Sequence, residues 1–284
     1  MPDISIGIDY SRIDWKVCLI EDGQTMDYLT FPDQESVVRW LAHTCALYPE
    51  PAIGFSSRLA CRFGPASARL YAPDTFQDPD THVQLDFLDA LATFSQQSYC
   101  LPSISHLPSI PAHRLVLHPA MGAPNVLCSI ATLLHRMRQS EATWEEMRFL
   151  CLEIGPWSST ISVVQDGLII DALETSPILQ KLSTSDIRTE AFWEELTQNL
   201  AGLMAVHHFA DIVISQQADS ADAAACKEEV IQRLGDLYQF YLYPQSETKF
   251  AGFESAFGAA LLVAGFSQSG PMAELAARLL AVVP

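Results

Sequence analysis

A strand–turn–strand–turn–strand pattern occurs twice in this chain, 144 residues apart. Residues 6–29 read IGIDYSRIDWKVCLIEDGQTMDYL, and residues 150–173 read LCLEIGPWSSTISVVQDGLIIDAL. On that offset Asp9 falls on Glu153, Asp22-Gly23 on Asp166-Gly167, Asp27 on Asp171 and Leu29 on Leu173. In each copy a β-rich run ends in an acid, a turn follows, and a second β-rich run ends in Asp-Gly. Asp-Gly between apolar runs is the strongest short hairpin signal, because both residues tolerate positive φ. The duplication predicts two similar lobes, and the repeated acid suggests that they face one cleft. Two carboxylates across a cleft would suit a metal–nucleotide site.

The length, 284 residues, fits two domains. The polar link 138–145 gives the boundary, with one lobe at 1–140 and another at 141–284. The last helix can pack back on the first lobe. Period-two alternation predicts strands at 4–10, 15–21 and 25–31, then at 147–154, 159–165 and 168–174. Asp33 reads as the N-cap of a helix over 34–47. A short strand follows at 51–56, a polar, Pro-rich loop at 73–83 and a helix at 84–97. Five prolines between residues 102 and 124 leave no room for a long helix before Asn125, and a helix is predicted from Val126 to Met137. The second half continues with a helix at 189–208, a strand at 211–215, a helix at 223–234, a strand-like run at 237–243 and helices at 252–266 and 271–282. Meander, helix, strand, helix in each half is an α/β arrangement with mixed sheets.

No apolar run reaches the ~20 residues that span a bilayer. The net charge of −18 would repel nucleic-acid backbones and anionic membranes. An anionic ligand would need a local shield, such as a metal ion or helix N-termini. The start MPDISIGIDY has no basic leader. The seven cysteines form no CxxC pair and read as buried reduced thiols, so a cytoplasmic protein is expected.

Asp9 and Glu153 each end an apolar strand. Each could hold water on a bound Mg2+ or cap its turn by accepting backbone N–H bonds. Arg12 is a phosphate contact or a surface arginine. Ser158, Ser159 and Thr160 offer hydroxyls and amides to an anion, with Gly155 allowing close approach; an ordinary polar turn explains them equally. His106, His113, Arg114 and His118 lack metal-ligand spacing and read as satisfied loop residues or substrate contacts. His207-His208 ends a helix, where the dipole favours it. No GxSxG elbow, HExxH pair or Walker A loop is present.

These hairpins resemble the phosphate-binding turns of the actin-like ATPases, which include sugar kinases, acetate kinases and heat-shock ATPases. The match is closer to the predicted butyrate kinases. GIDYSRID (7–14) and EDG (21–23) resemble that family's opening strand pair, and HLPSIPAHR (106–114) its HLP-x-x-P-x-H-R segment. AMGAPN (120–125) is similar to its turn before a helix, EIGPWSSTISVVQDGLIID (153–171) to its second phosphate hairpin, and AFGAALLVAGF (256–266) to its small-residue helix. The resemblance implies two ribonuclease H-like lobes with an interlobe cleft. It implies ATP and Mg2+ as cofactors and phosphoryl transfer to a small carboxylate. Asp9 and Glu153 would serve the metal; Ser11, Arg12, Gly155, Ser158, Ser159, Thr160 and Gly258 would serve the nucleotide. The partner is a small molecule, with a homodimer as the assembly to consider.

Three departures stand against full activity. The first turn, Tyr10-Ser11-Arg12-Ile13, has no glycine, so Tyr10 and Ile13 would crowd the phosphate oxygens. Ala120, Ala123, Asn125 and Val126 replace the family's polar positions, and no catalytic base stands out. Ser215-Gln216-Gln217 replaces a glycine-rich adenosine turn. They favour an alternative: a degenerate clamshell that binds or senses a ligand.

Overall fold

Both repeats fold as antiparallel meanders. In the first, β1 (Ile4–Tyr10), β2 (Trp15–Glu21) and β3 (Gln24–Phe31) pair in sequence order. In the computed structural model, residues 3–11, 13–57, 59, 61–66, 80–118, 121–154, 159–175, 190–216, 221–235, 239–242 and 251–281 are described. Both Asp-Gly turns adopt positive φ at both positions, 48° and 79° at Asp22-Gly23, 52° and 72° at Asp166-Gly167. That is what a type I′ turn requires. A register shift falls between Leu19 and Ile20 in the first copy and between Val163 and Val164 in the second, the same place in the repeat. Such a bulge tightens the local twist.

Each meander is extended by parallel strands on the side of its first strand. β4 (Ala52–Ser56) lies parallel to β1, and β6 (Ser98–Cys100) parallel to β4. The two-residue β5 (Gly64–Pro65) closes the edge, giving the order β3-β2-β1-β4-β6-β5. In the second sheet, β7 (Phe149–Ile154), β8 (Ser159–Gln165) and β9 (Leu168–Glu174) form the meander. β10 (Asp211–Gln216) lies parallel to β7, and β11 (Gln239–Leu242) parallel to β10. The order is β11-β10-β7-β8-β9, the first sheet's plan without its last edge strand.

The chain divides into two compact units. The first holds Met1–Pro108, Ala123–Ser140 and Phe253–Pro284; the second holds Ser109–Gly122 and Glu141–Gly252. In the first, α1 (Gln34–Leu47) and α2 (Thr81–Phe94) cover one face of the sheet. Asp33 caps α1 by accepting from Ser36 N at 2.8 Å, and Val37, Leu41 and Thr44 supply the buried stripe. Ile6, Ile8, Val17, Phe55, Phe87 and Leu91 form the centre of this core. In the second unit, α5 (Glu190–His207) lays Phe192, Leu196 and Leu200 against Leu150, Leu152, Ile161 and Ile212. α6 (Ala221–Leu234) adds Val230 and Leu234.

α7 (Glu254–Ser267) is apolar all round and buried from Glu254 to Gly265, as a helix enclosed on every side must be. Glycines set how close its neighbours come. A Cβ on Gly7 of β1 would lie 1.8 Å from the Ala256 carbonyl oxygen, and one on Gly54 of β4 2.7 Å from that of Ala259. α4 (Pro124–Gln139) and α8 (Pro271–Leu280) pack beside it. No helix among the described residues is long and apolar enough to cross a membrane.

Three local differences from the sequence reading have physical causes. The helix expected at 84–97 runs over 81–94, because Ser98 to Cys100 are taken into the sheet beside β4. The Pro-rich stretch holds a 3₁₀ turn at Ile104–His106 and a short helix, α3 (Ala112–Leu117). Pro111 stands just before α3, where a missing N–H costs nothing. β5 and β6 are too short for alternation to reveal them.

Candidate functional site

The turn after β1 is built around Asp9. Its carboxylate lies at the end of a central strand and is 8% exposed. Ser255 Oγ, in the first turn of α7, donates to Asp9 Oδ1 at 2.8 Å, and Ser56 Oγ is 2.8 Å from Ser255 Oγ. Ser56 is the residue of β4 in register with Asp9, and Lys16 its partner on β2. Lys16 Nζ stands 5.7 Å from the centre of the Phe253 ring. A carboxylate held by a hydroxyl chain in a buried setting has a fixed orientation, which a hydrated cation can use.

The same turn closes on itself. Ser11 N donates to Asp14 O at 3.1 Å, Asp14 N to Ser11 Oγ at 3.2 Å, and the Ser11 hydroxyl bonds the Asp14 carboxylate. These bonds occupy both the Ser11 amide and the Ser11 hydroxyl within the turn. Tyr10 does not crowd the turn as expected. It is buried, with its ring 4.6 Å from that of Trp15, which in turn meets Phe87 at 4.4 Å. Its place on β1 directs it into the core. Ile13, at 72% exposure, projects from the turn. Arg12 lies outside the described residues.

The turn after β7 repeats the plan with other groups. Glu153, the next-to-last residue of β7, is buried and stands in register with Thr160 on β8 and Ser215 on β10. Ser215 thus holds the position relative to Glu153 that Ser56 holds relative to Asp9, and Thr160 the position of Lys16. Burial pushes the Cys151 thiol up, and the Glu153 charge adds to it. Thr175 ties the backbone of Ser159, accepting from its N at 3.3 Å and donating to its O at 3.0 Å. Ser159 Oγ is fully buried and has no hydrogen-bond partner among the described residues. Gly155, Ser158, Ala120 and Gln217 lie outside the described residues.

Each turn offers one buried carboxylate. Among the described residues, no group of three His, Cys, Asp or Glu side chains could hold a metal ion. Mg2+ differs from metals held in protein cages in that it keeps several waters and binds through one or two carboxylates plus substrate phosphates.

Gly258 lies where α7 meets α4: a Cβ there would come within 1.8 Å of the Cys128 carbonyl oxygen. Beside it, Thr132 Oγ1 donates to the Glu254 carbonyl at 2.6 Å. The histidine-rich segment divides. His106 sits in the first unit near Ser103 and Ser105 hydroxyls, and burial, then the Arg62 charge, lowers its pKa. Arg114 is in the second unit and donates to Asp171 Oδ2. His207 Nε2 lies 3.0 Å from the same oxygen and 3.1 Å from Arg114 Nη2. Asp171 is fully buried. With Ser109 Oγ donating to Ile169 O at 2.6 Å, this cluster fastens the α3 segment to β9. Arg114 is therefore committed within the fold. His207 answers to a specific carboxylate as well as to its helix end. Asp27, the repeat counterpart of Asp171, is exposed.

Sequence reasoning missed Ser56, read Ser215 only as part of an altered adenosine turn, and missed Ser255. A signal existed for the first two: AIGFS and DIVIS are matching apolar runs that both end in serine. Ser255 carried none, being 246 positions from Asp9.

A protein family described as "Protein of unknown function (DUF1464)" matches residues 73–185. No curated protein matches the sequence. Among solved structures, a protein proposed to be an N-acetylmannosamine kinase from Listeria monocytogenes is similar over 94% of this chain and all of its own, at 10% identity and a TM-score of 0.51. A ROK hexokinase from Thermus thermophilus is similar over 90% of this chain and 96% of its own, at 11% identity and a TM-score of 0.45. Acetate kinase from Entamoeba histolytica is similar over 82% and 86%, at 8% identity and a TM-score of 0.47. The chain has the actin-like ATPase fold.

Proposed function

We propose that this protein is an ATP-dependent phosphotransferase with Mg2+ as cofactor and a small carboxylate as acceptor. The observation that carries the proposal is the fixed carboxylate of Asp9, buried at the end of β1 and oriented by Ser255 at 2.8 Å. Glu153, with its serine neighbour in the equivalent register, is the candidate metal-facing carboxylate of the second turn. Lys16, Arg12, Gly155, Ser158, Ser159 and Thr160 are the candidate phosphate contacts, and Thr160 is the one in register with Glu153. Bound Mg2+ would offset the charge on the phosphates, while these side chains position them. The carboxylate acceptor rests on the resemblance to predicted butyrate kinases.

A second reading has its own support. The Ser11 hydroxyl is occupied by Asp14, which favours a module that binds a ligand and turns it over slowly or not at all.

Calorimetric titration with Mg-ATP and Mg-ADP tests both. A micromolar Kd, equivalent to about −8 kcal/mol, weakened at least tenfold in Asp9→Ala, is expected. Phosphotransfer to acetate or butyrate at roughly 1 per second or faster supports the transferase. Binding without turnover supports the second reading. No binding of either nucleotide overturns both.

A further inference from the structure

We infer that Cys61 and Cys100 form an oxidative modification site, convertible from two thiols to a cystine by a small two-electron oxidant such as hydrogen peroxide. The two residues are 39 positions apart with no sequence motif linking them. Cys61 follows β4 and Cys100 ends β6, the parallel neighbour of β4. Their sulfurs lie 2.8 Å apart, against about 2.05 Å in a disulfide. Both are reduced and buried.

The backbones are already fixed for such a bond. Cys61 N donates to Ser103 Oγ at 3.1 Å, and Ser103 N donates to Cys61 O at 3.0 Å. Gly64, three residues after Cys61, pairs with Cys100 across β5 and β6. Bond formation therefore asks for sulfur movement of roughly 0.8 Å and little from the main chain. Cys61 Sγ also lies 2.8 Å from the Leu101 carbonyl, which keeps it turned toward β6.

The chemistry balances with peroxide alone. One thiolate attacks peroxide, giving a sulfenic acid and hydroxide. The second sulfur then displaces hydroxide from the sulfenic sulfur. Two thiols and one hydrogen peroxide become one cystine and two waters. The hydrogen bond with Cys100, and then burial, push the Cys61 thiol up. A raised thiol holds little thiolate, so the attack on peroxide is slow. Peroxide is little larger than water, so a brief local opening admits it. Cys128 on α4 is near enough for its charge to act on Cys61, and it is the competing partner.

The full-length protein is oxidised natively with hydrogen peroxide, denatured, and its thiols counted. The expected count falls from seven to five. Non-reducing peptide mapping should show one Cys61–Cys100 linkage, lost on treatment with a reducing agent. Cys45→Ser, which removes a half-buried thiol elsewhere, should still lose two thiols. Cys100→Ser should lose none to cystine. A linkage through Cys128, oxidation only to sulfinic acid, or retention of all seven thiols overturns the inference. The wild-type peptide map decides the matter even if Cys100→Ser does not fold.

Discussion

Ser255 and Asp9 lie 246 positions apart in sequence, and their side chains are joined by a hydrogen bond of 2.8 Å. The bond ties the first turn of α7 to the end of β1. Ser255→Ala should therefore reach both stability and ligand binding. A buried carboxylate that loses a donor costs about 1–3 kcal/mol. Urea denaturation should show that loss, and Mg-ATP titration of the same variant should show a weaker Kd. Unchanged values in both measurements would mean that Asp9 is held by its other neighbours alone.

Two glycines give opposite outcomes on the same substitution. Gly258→Ala forces a Cβ to within 1.8 Å of the Cys128 backbone, which cannot swing aside. It should destabilise by about 3 kcal/mol or more, at the upper end of overpacking costs. Gly202→Ala on α5 meets nothing within 4 Å. It should stabilise by about 0.5–1 kcal/mol through helix propensity. Denaturation midpoints of the two variants check the pair.

Arg114→Ala leaves the buried Asp171 carboxylate facing His207 without its guanidinium. Breaking a buried pair from one side costs about 3–5 kcal/mol. Limited proteolysis should then cut the 109–122 segment faster than in wild type. Arg114→Met combined with Asp171→Leu, which removes both charges, should recover most of the stability. If the single variant unfolds at the wild-type midpoint, the cluster does not fasten α3.

His135 on α4 has its pKa lowered by burial and then by the Arg136 charge. Above the unfolded value of about 6.5, both states are neutral at this residue and stability is unaffected. Below it the unfolded chain binds the proton more readily, so stability falls as pH drops toward the folded pKa. His106 works in the same direction. Urea midpoints between pH 7.5 and 5.5 should decline, and the decline should be shallower in His135→Gln. An equal slope in the variant would remove His135 as a cause.

The meanders were legible because hairpins are local. Their signals, alternation and Asp-Gly, lie within a few residues of the structure that they specify. The duplication carried further than expected: the bulges at Leu19/Ile20 and Val163/Val164 occupy the same place in each copy. Of the candidate site, the sequence marked only Asp9 and Glu153, by their places near the ends of strands. The Arg114–Asp171–His207 cluster was not, although each residue stood out separately, because nothing local joins residues 57 and 36 positions apart.

The sequence by itself determined two α/β sheets of one plan, each with an acid at the end of its first strand. Periodicity, turn chemistry and repetition suffice for that, since they are properties of neighbouring residues. Only the tertiary structure decided what those acids touch. The helix over 254–267 packs in the first unit, where Gly7, Gly54 and Gly258 let backbones come together and bring Ser255 to Asp9. Tertiary packing also turned Tyr10 into the core, locked Ser11 onto Asp14, and placed Cys61 beside Cys100. Long-range contacts of this kind depend on shape and burial after the chain has closed, and no local pattern encodes them.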